Sequence, residues 1–360
     1  MKKQFLDIIV GARPNFIKLA SIINASRKMD LSFDLRIIHT GQHYDEKMNK
    51  VFFNQLRLPN PDINLNVGSG TSGFQVANII IKYECVVLEN KPFMILVIGD
   101  VNSTVAASIV AKQNNILLGH IEAGIRSFDR EMPEEINRII TDSISDYFYV
   151  TTNYAINNLK KNGVNSESII QVGNTMIDTL INSLNQIDSI VPLFPNKSYI
   201  ILTLHRVSNT KDTKKLKKLF EELEIIAKDF NILFPAHPGT YQKLLNANIK
   251  IKNIKILEPL PYFEFLSLLK GSICVISDSG GISEEASFLN IPCLTLRNNT
   301  ERPETIKYGT NILIEDRLEE ISKSLISIKS GMWKKYREIE MWDQLVGERI
   351  LNHIKNIQIG

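Results

Sequence analysis

Acidic side chains stand just after short apolar runs in the first half of the chain. Asp100 follows the run at 94–99, Glu122 closes the run at 117–122, and Glu134 opens a helical pattern behind Pro133. Three carboxylates gathered at one sheet edge cannot all behave as they do in water. Desolvation and mutual repulsion raise at least one, which suits a group that must take and give a proton. Asp100 also fits a plain helix N-cap. Arg13 sits at the end of the first apolar run, and Lys18 lies one turn into the following helical pattern. Two cations there oppose the helix dipole unless an anion joins them.

The second half offers a place for a phosphate. Ser277-Asp278-Ser279-Gly280-Gly281-Ile282-Ser283-Glu284-Glu285 follows an apolar run and opens a helix. Two glycines let the backbone approach a ligand, and the first-turn amides with the dipole favour an anion. Glu284 or Glu285 stands where it can accept from ribose hydroxyls; a capping box at Ser279 is the structural alternative. Arg302, in Thr300-Glu301-Arg302-Pro303-Glu304, is placed to reach a diphosphate, or else forms a surface ion pair worth little. His205 and His237 each follow a run of this half.

Other site classes find no support. His39 and His43 are four apart but span a strand end and a turn, and no His-Glu-x-x-His or Cys/His cluster occurs, so no metal is expected. His353, in the terminal helical stretch, reads as structural. Gly68-Ser69-Gly70-Thr71-Ser72-Gly73 matches a dinucleotide pattern but follows an alternating stretch in mid-domain, so it reads as a plain glycine-rich loop. There is neither a P-loop nor a Gly-x-Ser-x-Gly elbow, and no cofactor is expected.

The elements that must position these residues alternate between β-branched runs and amphipathic stretches, the pattern of a parallel sheet covered by helices. Strands are expected at 5–10, 34–40, 94–99, 117–122, 147–151 and 169–172. Helices fall between them at 14–28, 44–56, 73–89, 103–114 and 134–145. The pattern breaks near Pro192 and Pro195, and a second series follows at 199–204, 232–236, 254–257, 273–277 and 292–296. With 360 residues, 44% hydrophobic, the chain can fill two cores. The expected organisation is an N-terminal Rossmann-like domain at 1–185, a linker at 186–197, a C-terminal Rossmann-like domain at 198–340 and a final helix at 341–360. Facing sheets of this kind would set both groups of loops across one cleft.

A net charge of +3 argues against nucleic acid. Within 211–218, rich in lysine, Leu216 begins an apolar stripe continued by Phe220 and Leu223, so a solvated helix face is expected there. No run reaches the ~18 apolar residues that a membrane span needs. Cys85, Cys274 and Cys293 are odd in number and set among apolar residues, which reads as buried free thiols in a cytoplasmic protein.

Taken together, the chain resembles the non-hydrolysing UDP-N-acetylglucosamine 2-epimerases. The resemblance rests on Gly11-Ala12-Arg13-Pro14, Thr40-Gly41-Gln42-His43, Gly99-Asp100, His120-Ile121-Glu122-Ala123-Gly124-Ile125-Arg126 and Pro133-Glu134-Glu135-Ile136-Asn137-Arg138. It continues through Gly173-Asn174-Thr175-Met176-Ile177-Asp178, His205-Arg206, the 278–285 segment and Glu301-Arg302-Pro303-Glu304. It implies an α/β GT-B-like fold of two Rossmann-like domains, the last helix packing back on the first, in a cofactor-free homodimer acting on a UDP-sugar. By the same resemblance, Asp100, Glu122 and Glu134 handle the C2 proton and the bound glucal, and His205 assists the leaving phosphate. Ser279, Gly280, Gly281 and Arg302 hold the diphosphate and Glu285 the ribose, with Arg13, Lys18, Arg138 and His237 completing the substrate site. Gln42, Glu135 and Arg206 match parts of a second, activating site. Departures at Tyr44-Asp45 and Val207-Ser208-Asn209 leave room for a related UDP-amino sugar, such as a 6-deoxy or C3-modified one. A hydrolysing relative, a GT-B glycosyltransferase and a non-catalytic sugar-nucleotide sensor are the competing readings.

Overall fold

The computed structural model describes residues 4–41, 46–194, 199–315 and 317–359. By compactness the chain forms two units, Met1–Asn182 with Glu340–Gly360, and Ser183–Ile339.

The first unit runs β1 (Gln4–Val10), α1 (Arg13–Ser26), β2 (Phe33–His39), α2 (Glu46–Gln55), β3 (Ile63–Asn64), α3 (Ser72–Glu89) and β4 (Met94–Ile98). It continues with α4 (Asn102–Gln113), β5 (Leu117–Ile121), α5 (Pro133–Ile144), β6 (Tyr147–Val150), α6 (Asn153–Lys161), β7 (Ile169–Gln171) and α7 (Thr175–Asp188), which carries the chain into the second unit. Its seven strands order as β3-β2-β1-β4-β5-β6-β7, and every pair is parallel. β4 is buried at every position, and β1 from Leu6 onward, because helices cover both faces of a parallel sheet. That is why these strands read as unbroken apolar runs.

One charge interrupts β1. Asp7 is fully buried, receives Arg36 at 2.7 and 2.8 Å, and accepts from the Tyr83 hydroxyl at 2.7 Å. Burial pushes the Asp7 carboxyl up from its ordinary value despite the downward pull of Arg36.

The second unit holds β8 (Tyr199–Thr203), α8 (Val207–Lys211), α9 (Thr213–Ile226), β9 (Asn231–Pro235), α10 (Pro238–Asn246), β10 (Lys255–Leu257) and α11 (Tyr262–Lys270). After these come β11 (Cys274–Ser277), α12 (Gly280–Phe288), β12 (Cys293–Thr295), α13 (Pro303–Lys307), β13 (Asn311–Leu313) and α14 (Glu319–Lys329). Its six parallel strands order as β10-β9-β8-β11-β12-β13. Leu216, Leu219, Phe220 and Leu223 of α9 enter the core with Ile200, Leu202 and Phe234. The lysines at 214, 217 and 218 stay exposed, as a solvated helix face requires.

A final helix, α15 (Val346–Ile359), belongs to the first unit. A side chain at Gly347 would stand 2.3 Å from the Ser21 carbonyl oxygen, so only glycine lets α15 lie this close to α1. The buried Asp178 carboxylate fastens the pair, accepting from the Ser21 hydroxyl at 2.8 Å and the Gly347 amide at 3.1 Å.

Two strands escaped the sequence reading, β3 and β13. They have two and three residues and lie at sheet edges, where no long apolar run is needed. One cysteine corrects it. Cys274 and Cys293 are buried, but Cys85 is exposed on the outer side of α3.

Candidate functional site

In each sheet the strand order reverses at one point, between β1 and β4 in the first unit and between β8 and β11 in the second. Open α/β sheets receive ligands beyond the carboxyl ends of the strands at such points. The candidate residues of both units lie there or beside it.

In the first unit Asn15 ties the β1 loop to β4. Its Oδ1 accepts from the amides of Gly11 and Ala12 at 3.3 and 3.0 Å, and its Nδ2 donates to the Ile98 carbonyl at 3.0 Å. Lys18 reaches Glu122, Nζ to Oε2 at 2.7 Å, and both are buried. The two-cation conflict at the start of α1 is therefore relieved inside the protein, with Glu122 as the anion. Gly99 must be glycine beside this pair: its φ is +70°, and an added Cβ would lie 3.1 Å from Lys18 Nζ. Glu122 itself has a φ of +67°, a left-handed conformation unusual for a side-chain-bearing residue and recurrent at functional sites.

Asp100 is not an N-cap. The capping position of α4 is Val101, and the Asp100 carboxylate is instead bound by Arg138. Arg138 also contacts Glu135 at 3.1 Å. Glu135 is buried and accepts from the Ser127 amide at 2.8 Å, the Ser127 hydroxyl at 3.0 Å and the Phe128 amide at 3.2 Å. It thus anchors the loop before α5. Glu134, in the first turn of α5, is exposed. The carboxylates expected to repel one another are matched instead: Lys18 takes Glu122, and Arg138 takes Asp100.

Behind them lies a buried network absent from the sequence-based site. His120 of β5 sits between Asp142 Oδ1 at 2.7 Å and the Gly99 carbonyl at 2.8 Å. Asp142 Oδ2 also meets Arg126 at 2.6 Å and the Gly124 amide at 3.1 Å. Burial alone would raise the Asp142 carboxyl, but His120 and Arg126 outweigh it and hold the carboxyl below its ordinary value. This brace fixes the carbonyl of Gly99, next to Asp100.

In the second unit Asp278 organises the β8 loop. It is fully buried, and its oxygens accept from the amides of His205 at 2.9 Å and Arg206 at 3.0 Å and from Asn209 Nδ2 at 3.0 Å. The His205 side chain stands exposed beyond β8. Ser279 takes the N-cap position of α12 but caps no amide with its side chain, so Gly280 and Gly281 open a helix whose first-turn amides remain for another acceptor. The capping box, the structural alternative for this segment, is absent. His237 caps α10, its Nδ1 accepting from the Gly239 amide at 3.1 Å.

The remaining charges pair closely. Arg302 Nε meets the buried Glu284 at 2.7 Å. Glu301 stands between Arg206 at 3.2 Å and Arg297 at 2.7 Å. Glu285 is buried and accepts from the Tyr262 hydroxyl at 2.7 Å. Burial, with Glu284 nearby, pushes its carboxyl up to about 8 against the lowering effect of that hydrogen bond. Arg297, Asp278 and Tyr262 were not singled out from sequence. Arg297 carried one usable signal, a cation directly after a buried strand.

Gln42 and His43 lie outside the described residues. Among the described residues no group of three or more His, Cys, Asp or Glu side chains is gathered to hold a metal, and no helix is long and apolar enough to cross a membrane.

A family model for UDP-N-acetylglucosamine 2-epimerase matches residues 26–355. The UDP-N-acetylglucosamine 2-epimerase of Methanocaldococcus jannaschii is 45% identical over 347 residues, covering 91% of this chain and 94% of that protein. The UDP-2,3-diacetamido-2,3-dideoxy-D-glucuronate 2-epimerase of Pseudomonas aeruginosa is 38% identical over 309 residues, 85% of this chain and 87% of its own length. The crystal structure of the M. jannaschii enzyme in complex with UDP-GlcNAc and UDP superposes with a TM-score of 0.90 at 42% identity, covering 99% of this chain and all of that one. Likeness over this length carries the GT-B-like α/β fold class with it. The chain belongs to the UDP-N-acetylglucosamine 2-epimerase family.

Proposed function

We propose that the chain interconverts UDP-GlcNAc and UDP-ManNAc without a cofactor and without net release of UDP, supplying an activated amino sugar for surface polysaccharide. The observation that carries this reading is the division of chemistry between the two sheets. Cation-paired carboxylates stand at one reversal of strand order, and an uncapped glycine-opened helix beside His205 stands at the other.

The C2 proton of the sugar is not acidic, so removing it requires a placed base and neutralisation of the charge that develops on the departing group. A carboxylate of the Asp100, Glu122 and Glu134 set takes that proton while the C1–O bond to UDP breaks, leaving a C1=C2 double bond in bound 2-acetamidoglucal. The electron pair of the broken bond stays on the UDP phosphate, where His205, the α12 amides and Arg302 meet it. Return of a proton to C2 from the opposite face, with UDP oxygen rejoining C1, gives the manno sugar. Lys18 and Arg138 hold the carboxylates in place. Glu285 faces the ribose, while Arg13 and His237 support the substrate. Gln42, Glu135 and Arg206 would belong to a second, activating site; the buried anchoring of Glu135 supports a structural part for that residue.

The test is incubation with UDP-GlcNAc in deuterated water followed by NMR. Deuterium should enter at C2 in a mixture of gluco and manno UDP-sugars, with little free UDP. Accumulating UDP would indicate the hydrolysing reaction, and unchanged, unlabelled sugar would exclude this substrate. A second substrate reading, a C3-modified UDP-amino sugar, is favoured by the 38% identity to an enzyme named for a 2,3-diacetamido sugar nucleotide. Labelling of that sugar but not of UDP-GlcNAc would decide for it.

The partner is a second copy of the chain. Phe74, Ala77, Ile81, Cys85 and Leu88 are all exposed on α3, spaced symmetrically about Ile81. Such a stripe is self-complementary about a two-fold axis. Ile81 is 61% and Leu88 72% exposed, a cost that pairing removes. Light scattering should give a dimer for the wild type and a monomer for Ile81→Asp; a monomeric wild type refutes this.

A further inference from the structure

Arg297 follows β12 and lies outside every motif that pointed to the site. Its side chain is 5% exposed. Its Nη2 donates to Asn299 Oδ1 at 3.3 Å, and its Nη1 touches Glu301 Oε2 at 2.7 Å. Nη1 makes that contact as a close ion pair but not as a directed hydrogen bond, so this buried nitrogen keeps donor capacity for a further acceptor. A buried donor of this kind gains from a further acceptor.

The direction it faces is informative. A Cβ on Gly280, the first residue of α12, would lie 3.8 Å from Arg297 Nη1 and 3.8 Å from Glu301 Oε2. The guanidinium therefore stands against the uncapped end of a nine-residue helix, on the side where glycine has left room. Arg302, the cation the sequence pointed to, meets the buried Glu284 through its Nε. Glu301 holds Arg297 from one side and Arg206 from the other, so the acid fixes two guanidiniums at one place.

We infer that Arg297 is a phosphate-binding residue: with the first-turn amides of α12 it receives a phosphate of the nucleoside diphosphate, and Glu301 positions it to do so. The inference rests on the nucleotide reading above and adds a residue to it. A phosphate oxygen at the start of α12 satisfies the amides and the Nη1 donor together, and the charge-assisted bond is of the stronger kind. Lysine at 297 supplies the charge but not the planar fork, so it replaces the arginine only in part.

Calorimetric titration of the full chain with UDP, and NMR titration with uridine, separate the possibilities. Arg297→Gln should weaken UDP binding about 10- to 100-fold, Arg297→Lys should recover part of the loss, and uridine affinity should be the same in all three proteins. UDP affinity unchanged in a folded Arg297→Gln protein overturns the proposal. So does a loss shared equally by UDP and uridine in both variants, the mark of a merely structural arginine. A wild type that binds no UDP overturns the nucleotide reading itself, an outcome distinct from a UDP-binding wild type with an indifferent Arg297→Gln.

Discussion

Glu285 offers a quantitative test of how the second unit is built. Its carboxyl is buried, shares a hydrogen bond with Tyr262, and is pushed from an ordinary 4.5 up to about 8. The folded state therefore holds this proton more tightly than the unfolded chain does. The contribution is complete below about pH 4.5, is lost as pH climbs towards 8, and changes no further above that. At 1.36 kcal/mol per pH unit the interval amounts to about 5 kcal/mol, an upper figure for one buried site. Glutamine in its place keeps an oxygen for the Tyr262 hydroxyl and cannot ionise. Glu285→Gln should match the wild type near pH 5 and exceed it near pH 9. For a unit of this size the gain in melting midpoint at pH 9 is on the order of 10 °C. Scanning calorimetry of both proteins from pH 5 to pH 9 measures it, and comparing the two cancels every other group that titrates. A difference that is the same at both ends of the range refutes the reasoning.

Other outcomes follow from particular contacts. His205→Ala removes an exposed side chain, so kcat should fall about 100-fold or more with an unchanged melting midpoint, measured by NMR conversion assay and calorimetry. Arg36→Leu strands the buried Asp7 carboxylate and should cost about 3–5 kcal/mol in urea unfolding of the first unit; adding Asp7→Asn should return part of it. Gly124→Ala forces a side chain into a residue with a φ of +75° and places its Cβ 2.4 Å from the Ala155 carbonyl oxygen. It should destabilise the first unit by about 3 kcal/mol, read by the same method.

The strands that carry the site were legible because central parallel strands are buried on both sides. Runs such as Met94–Ile98 leave no periodicity to misread, and the polar residue after each run must lie at a carboxyl end. Asp100, Glu122, His205 and Ser279 were placed just past strand ends in this way. Their partners were not. Lys18 and Glu122 are 104 residues apart and Asp100 and Arg138 are 38 apart, and nothing local marks one as the counter-ion of the other. Hence three carboxylates looked mutually repelling when two already had cations. The His120–Asp142–Arg126 brace was missed for the same reason: His120 and Asp142 are 22 residues apart, and nothing local marks them as partners. Cys85 misled differently, because its apolar neighbours belong to a helix with a second, outward apolar stripe.

The place of α15 has a consequence for how the protein is made. The first unit is written in two pieces, and the surface of α1 that receives Gly347 waits until residues past 340 have been translated. During synthesis the second unit can complete its sheet while the earlier one still exposes that helix and holds Asp178 without its Gly347 donor. The nascent chain thus finishes its domains in the reverse of the order in which it begins them, and the last helix closes the first.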